Sequence, residues 1–221
     1  MLQLAIACLV FLALHVVPST PLRPALVGTL GERAYLGLFS LASLAAIVWM
    51  VIAFKAAPFD LLWPGLRHLP SAVMPFAFIL VVGGVMTPNP TAVGAAKLLE
   101  REDPARGILR VTRHPVMWGI MLWAGAHILA RGELKSTVFF GTFLLLAAAG
   151  TRLQDARKSK THGEDWTRFA ALTSNLPFAA VAQGRNRLAL GEIGLVRVVF
   201  GLLLFGGMFL AHHWLIGAQP Y

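Results

Sequence analysis

The sequence predicts an all-α protein: a polytopic transmembrane helix bundle of about six spans, with two amphipathic segments lying on the cytoplasmic surface. Three observations lead there. Hydrophobic residues make up 57% of the chain and charged residues only 13%, a balance foreign to soluble globular domains. Apolar stretches recur at roughly 2 to 17, 34 to 54, 70 to 86, 115 to 130, 136 to 151 and 195 to 216, each near the ~20 residues a bilayer requires. Basic residues crowd into alternate connections: the first, third and fifth hold fourteen Lys and Arg, the second and fourth only four.

That asymmetry puts the odd connections in the cytoplasm and both termini outside it, as in a multi-pass protein of a bacterial-type inner membrane. The net charge of +9 is then a matter of topology and anionic headgroups, and no nucleic-acid partner is needed to explain it. Residues 1–221 read as one membrane domain with the bilayer as its main partner. Before Pro18 there is neither a basic leader nor a small-residue cleavage site, so the first stretch reads as a retained helix. Cys8 is the only cysteine, which excludes an internal disulfide and a cysteine-based zinc cage.

Taken in order, Pro18, Pro21 and Pro24 predict a stiff, extended connection after the first helix. Glu32 suits the positive N-terminus of the second. Pro75 and the pair Gly83-Gly84 predict a third helix that is bent or packed closely on a neighbour. Ala92 to Glu102 has the composition of a surface-lying helix. Pro115 is compatible only with a first helical turn, so the fourth span begins there with Arg113 and His114 at its mouth. Trp166, Phe169 and Leu172 recur at three-residue spacing near Arg157, Lys158 and Lys160, the pattern of a second surface helix.

The histidines carry the chemistry. Between Val116 and Ala130 the only ionisable side chain is His127, on one helical stripe with Val116, Ile120 and Trp123. That stripe faces protein, and two readings of His127 stand: a buried histidine bonded to a neighbouring helix, or a haem ligand. His15, in the first span, is the partner a six-coordinate haem would need from another helix; Cys8, two turns before it, and His212, at the outer depth, are rival ligands. Depth opposes the preferred pair, because His127 lies ~20 Å from the cytoplasmic start of its helix while His15 is near the cytoplasmic end of its own.

These stretches resemble the NnrU family. The likeness rests on His15-Val16-Val17-Pro18 with Arg23, on Gly31 to Tyr35, on Gly107-Ile108-Leu109-Arg110-Val111-Thr112-Arg113-His114-Pro115 through Trp118-Gly119, on Ala126-His127, and on Asn175-Leu176-Pro177-Phe178 with Gly184-Arg185. The resemblance extends to zeta-carotene isomerases and implies haem b held by histidines, which fall on His15 and His127, and isomerase or redox chemistry on a hydrophobic small molecule. Arg113 and His114, cationic or neutral donors at the cytoplasmic face, are the expected contacts for the haem propionates. The family's association with nitrite and nitric oxide reductase genes implies an alternative, a non-catalytic accessory factor for denitrification with a respiratory reductase as partner. The Arg-His-Pro element is also similar to isoprenylcysteine and phospholipid methyltransferases. Their pattern has tyrosine where Met117 stands, and paired glutamates where this chain has Gln154-Asp155.

Overall fold

The computed structural model describes residues 1–92 and 94–220. Among them there is no strand ladder, and the secondary structure is helical: α1 (Leu2–Val16), α2 (Leu22–Leu30), α3 (Glu32–Ala56), α4 (Leu69–Met86), α5 (Pro115–Arg131), α6 (Leu134–Leu172), α7 (Ala179–Ala182), α8 (Leu190–Ile193) and α9 (Leu195–Ile216). Five helical stretches, α1 carried on by a 3-10 turn to Ser19, α3, α4, α6 and α9, are long and apolar enough to cross a bilayer, so the all-α membrane bundle is the architecture found. The 17-residue α5 is slightly shorter and also apolar, and it begins at Pro115 as the sequence requires.

The chain forms two compact units. The first comprises Met1–Leu66 and His127–Leu146, the second Arg67–Ala126 and Ala147–Tyr221.

In the first unit α1 packs along α3, burying Leu4, Ala7, Cys8 and Phe11 at helical spacing. On α3 the buried positions Ala46, Met50 and Ala53 repeat the pattern. The proline-rich connection departs from the expected extended form: Pro18 sits in a 3-10 turn, and α2 follows with Pro24 in its first turn, where the missing N–H costs nothing. Arg23, in the first turn of α2, and Glu32, just past its end, meet at 2.7 Å, the arginine half-buried and the glutamate exposed. Further along, the 57–66 segment lies against the α5–α6 turn, with the backbone N–H groups of Leu62 and Trp63 both donating to the Gly132 carbonyl. Gly132 has φ +64°, and a Cβ there would collide with the Trp63 carbonyl, so both its backbone and its surroundings demand glycine.

In the second unit α4 lies against α9 and against α5. The approach to α5 depends on small residues: a Cβ on Gly84 would come within 2.8 Å of Pro115 and Val116, and one on Gly119 within 2.5 Å of Val81 Cγ2. Close packing at Gly84 is the outcome its sequence predicts. Val116 and Trp123 of the histidine stripe likewise face protein, Val116 against Gly84 and Trp123 against Met74, Ala77 and Ala126.

Two differences lie in the connections. Instead of a surface helix over Ala92–Glu102 there is a 3-10 turn at Ala96–Glu100, whose Leu99 is buried in a core with Ile108, Leu109 and Val111. The 166–172 segment is helical, yet Trp166 and Phe169 belong to that same core and not to a lipid-facing side. It continues α6 beyond a break at Gly163, whose φ of +46° is non-helical.

Candidate functional site

Up to its break at Gly163, at ~1.5 Å per residue, α6 is ~44 Å long, more than the ~30 Å of a hydrocarbon core, so its basic part from Arg152 onward extends beyond the apolar part. Asp155 lies on that projecting part, one turn past Thr151. The carboxylate is gripped by the central motif of the sequence. Arg113 donates from Nε at 3.0 Å and from its terminal nitrogen at 2.6 Å, and His114 Nε2 donates at 2.7 Å to Oδ1. His114 is 2% exposed, and its other ring nitrogen, Nδ1, is buried with no hydrogen-bond partner. Burial works to raise the Asp155 carboxyl, but the bonds from His114 and Arg113 outweigh it and hold the group below the usual carboxylate range.

The motif is also stitched to the segment Ser174–Phe178. Thr112 Oγ1 donates to the Asn175 carbonyl at 2.6 Å, Trp118 Nε1 donates to the same oxygen at 2.8 Å, and Arg113 N donates to the Ser174 carbonyl. Phe178 N donates to Val111 O while Phe178 holds φ +64°, a left-handed conformation costly for an aromatic residue and maintained by these ties.

One turn earlier, Arg110 is buried and forms a bidentate pair with Glu192, Nε to Oε2 at 2.7 Å and Nη2 to Oε1 at 3.1 Å, and reaches Asp103 at 3.0 Å. Glu192 also accepts from Gly107 N at 3.1 Å. The Arg110 bond, then the Gly107 bond, keep the Glu192 carboxyl below its ordinary value.

His15 and His127 belong to the first unit. His15 Nδ1 is 2.8 Å from the Phe11 carbonyl, so that nitrogen carries a proton and Nε2 is the one left to coordinate. Its ring is 4.2 Å from that of Phe11 and 5.4 Å from that of Phe39. The ring of His127 is 4.9 Å from that of Phe140. Ring contacts continue from Phe11 to Phe143 at 5.3 Å, from Phe143 to Phe139 at 5.4 Å and from Phe139 to Phe140 at 5.2 Å. A series of ring contacts therefore links His15, by way of Phe11 on α1, to Phe143, Phe139 and Phe140 on α6 and so to His127. Cys8 Sγ approaches Val138 O as Phe11 meets Phe143, so α1 runs parallel to α6 and His15 stands one to two turns from the level of Phe140. That is ~5–10 Å along the helices, against the ~20 Å suggested by the sequence. The α-helical part of α1 ends at Val16 and is carried past Pro18 only by the 3-10 turn Val17–Ser19.

The other candidates have partners of their own. Buried Cys8 is a weak donor to Val138 O at 3.9 Å, and His212 Nδ1 donates to the Ala218 carbonyl at the end of α9. Arg113 and His114 are residues of the second unit, where Asp155 engages both. Among the described residues no group of three or more His, Cys, Asp and Glu is arranged to hold a metal ion. In the sequence Asp155 stands out only as a departure from a glutamate pair, and nothing local marks Glu192. The available signal was that Arg110 and Arg113, set in an apolar motif, require carboxylates, and the chain has only ten Asp and Glu to supply them.

Comparison with known proteins matches the profile described as NnrU protein to residues 3–220. The chain belongs to the NnrU family. This NnrU-family chain is also 32% identical over 169 residues to the chloroplastic 15-cis-zeta-carotene isomerase of Arabidopsis thaliana, covering 72% of the chain and 45% of that protein. It is 30% identical over 167 residues to the corresponding isomerase of Zea mays, covering 72% of the chain and 44% of the relative. The matched region thus spans less than half the length of these curated relatives. No solved structure is a significant match.

Proposed function

We propose that the protein is a membrane isomerase acting on a double bond of a long, apolar substrate, with haem b held by His15 and His127. The observation that carries this reading is the pair of histidines joined by one continuous cluster of phenylalanine rings, within a chain about a third identical to isomerases over most of its length. The donor chemistry fits the group. The Phe11 carbonyl fixes the tautomer of His15 and leaves Nε2 to coordinate, the outer-shell arrangement that ligating histidines commonly have. Phe11, Phe39, Phe139, Phe140 and Phe143 supply apolar, aromatic surroundings in which a macrocycle and a polyene are both soluble. Haem bound there would supply a redox-active iron to lower the barrier to rotation about the double bond. The chain's own part is to ligate, to exclude water and to hold the substrate against the phenylalanines.

Absorption spectroscopy tests the cofactor. Protein purified in mild detergent from haem-replete cells is expected to show a Soret band that shifts on reduction, and His127→Ala and His15→Ala are each expected to abolish or displace it. Colourless wild-type protein would overturn the reading. Conversion of a cis-carotenoid in proteoliposomes, followed by chromatography, tests the reaction, and its absence from haem-loaded protein would leave a haem protein of another activity.

A further inference from the structure

We propose that a cavity in the second unit, at the end of α4 and the entry to α9, binds a phosphate-bearing anion. The cavity has a volume of about 500 Å³ and is lined by Arg101, Arg106, Arg110, Arg187 and Arg197 against only two carboxylates, Asp103 and Glu192. Those carboxylates are already taken. Arg110 holds both, and Arg106 touches Asp103 at 3.4 Å. Among the described residues none of Arg101, Arg187 and Arg197 has a carboxylate within ion-pair distance, which leaves three guanidinium groups in excess around one space.

The second observation is independent of charge. Two buried polar atoms without a hydrogen-bond partner, Thr87 Oγ1 and Arg197 Nε, belong to residues lining this cavity. Thr87 is 8% exposed. Buried polar groups are nearly always paired, so two orphans among the lining residues mark hydrogen-bonding capacity beside this space that the chain itself leaves unmet. A carboxylate would offset one of the three excess charges. A phosphate monoester or diphosphate offsets more and presents several oxygens to guanidinium forks, the geometry for which arginine is suited.

Location fits the same chemistry. Thr87 caps the end of α4 and Arg197 lies in the first turn of α9, two helices apolar and long enough to cross a membrane, so the cavity opens where phosphate headgroups lie. The phosphate could belong to a lipid headgroup or to a free anion.

The test uses the full chain in a neutral maltoside detergent, with two probes. Calorimetric titration with inorganic pyrophosphate reports the free anion, and native mass spectrometry of protein offered phosphatidic acid or phosphatidylcholine reports the headgroup. Saturable binding of pyrophosphate alone assigns the site to a free anion, and preferential retention of phosphatidic acid assigns it to a lipid. The double variant R101Q/R187Q alters two exposed side chains and is expected to bind at least tenfold more weakly with its unfolding temperature unchanged. T87V, which removes an orphan hydroxyl at nearly constant volume, is expected to weaken binding without lowering the unfolding temperature. Failure of both probes to bind, or wild-type affinity in R101Q/R187Q, would overturn the proposal.

Discussion

His114 Nε2 lies 2.7 Å from Asp155 Oδ1, and the same carboxylate receives the Arg113 guanidinium, so one acidic side chain closes a contact between residues 41 and 42 positions apart. Removing it strands two donors in poorly solvated surroundings. Asp155→Ala is expected to cost about 3 kcal/mol, the low end for breaking a buried pair, since the carboxylate is 20% exposed. Asp155→Glu should recover part of that loss. Denaturation in detergent micelles measures both, and an Asp155→Ala protein as stable as the wild type would refute the structural role.

The same group sets a pH dependence. The Asp155 carboxyl titrates below its usual range in the folded protein, and Glu192 shares that direction. The unfolded chain therefore binds protons first as pH falls. Stability contributed by these carboxylates is complete above about pH 4, the ordinary carboxylate value, and is lost as the pH drops through the lower folded values. Unfolding temperatures measured from pH 7 to pH 3 should fall more steeply for the wild type than for Asp155→Asn, and parallel curves would show that Asp155 is not the group responsible.

How far the sequence discloses this site depends on the range of each interaction. Span positions follow from local composition, and the helix starting at Pro115 follows from one residue's covalent geometry, so both are legible. The Asp155 contact is not, because no periodicity links position 155 to positions 113 and 114. Trp166 and Phe169 show the complementary failure: their spacing reports an amphipathic helix correctly, but spacing cannot say whether the apolar side meets lipid or, as here, Ile108 and Leu109. Likewise Pro18, Pro21 and Pro24 suggest an extended run, while Pro24 falls in a first helical turn that tolerates it. For His15 and His127 the residues are visible, and the ring cluster that joins them depends on the register of α1 on α6.

Helix contact in the second unit depends on glycine. Gly119→Ala would put a Cβ 2.5 Å from Val81 Cγ2 and 2.8 Å from the Ala77 carbonyl oxygen, and the backbone atom cannot turn away. A loss of about 1–3 kcal/mol is expected from such overpacking. Gly125→Ala, on the same helix with nothing within 4 Å, is the control and should be neutral or slightly stabilising. Equal stability of the two variants would mean that α4 and α5 are not packed at Gly119.

Thr112 ties the start of α5 to the Ser174–Phe178 segment. Fully buried, its hydroxyl donates to the Asn175 carbonyl at 2.6 Å and accepts from His114 N at 3.2 Å. Thr112→Val keeps the shape and removes both bonds. The His114 N–H, in the buried approach to α5, then loses its acceptor, whereas the Asn175 carbonyl retains Trp118 as a donor. The expected cost is about 1–3 kcal/mol, the penalty for leaving one buried group unsatisfied. Thr112→Ser keeps the hydroxyl and gives up only a methyl group, so its loss should be near 1 kcal/mol. Hydrogen exchange separates this from a general loosening of the protein. Phe178 N donates to Val111 O, and its protection should drop in Thr112→Val while amides in the middle of α9 keep theirs. A valine variant less destabilised than the serine variant would mean that methyl packing, and not the hydroxyl, holds this junction.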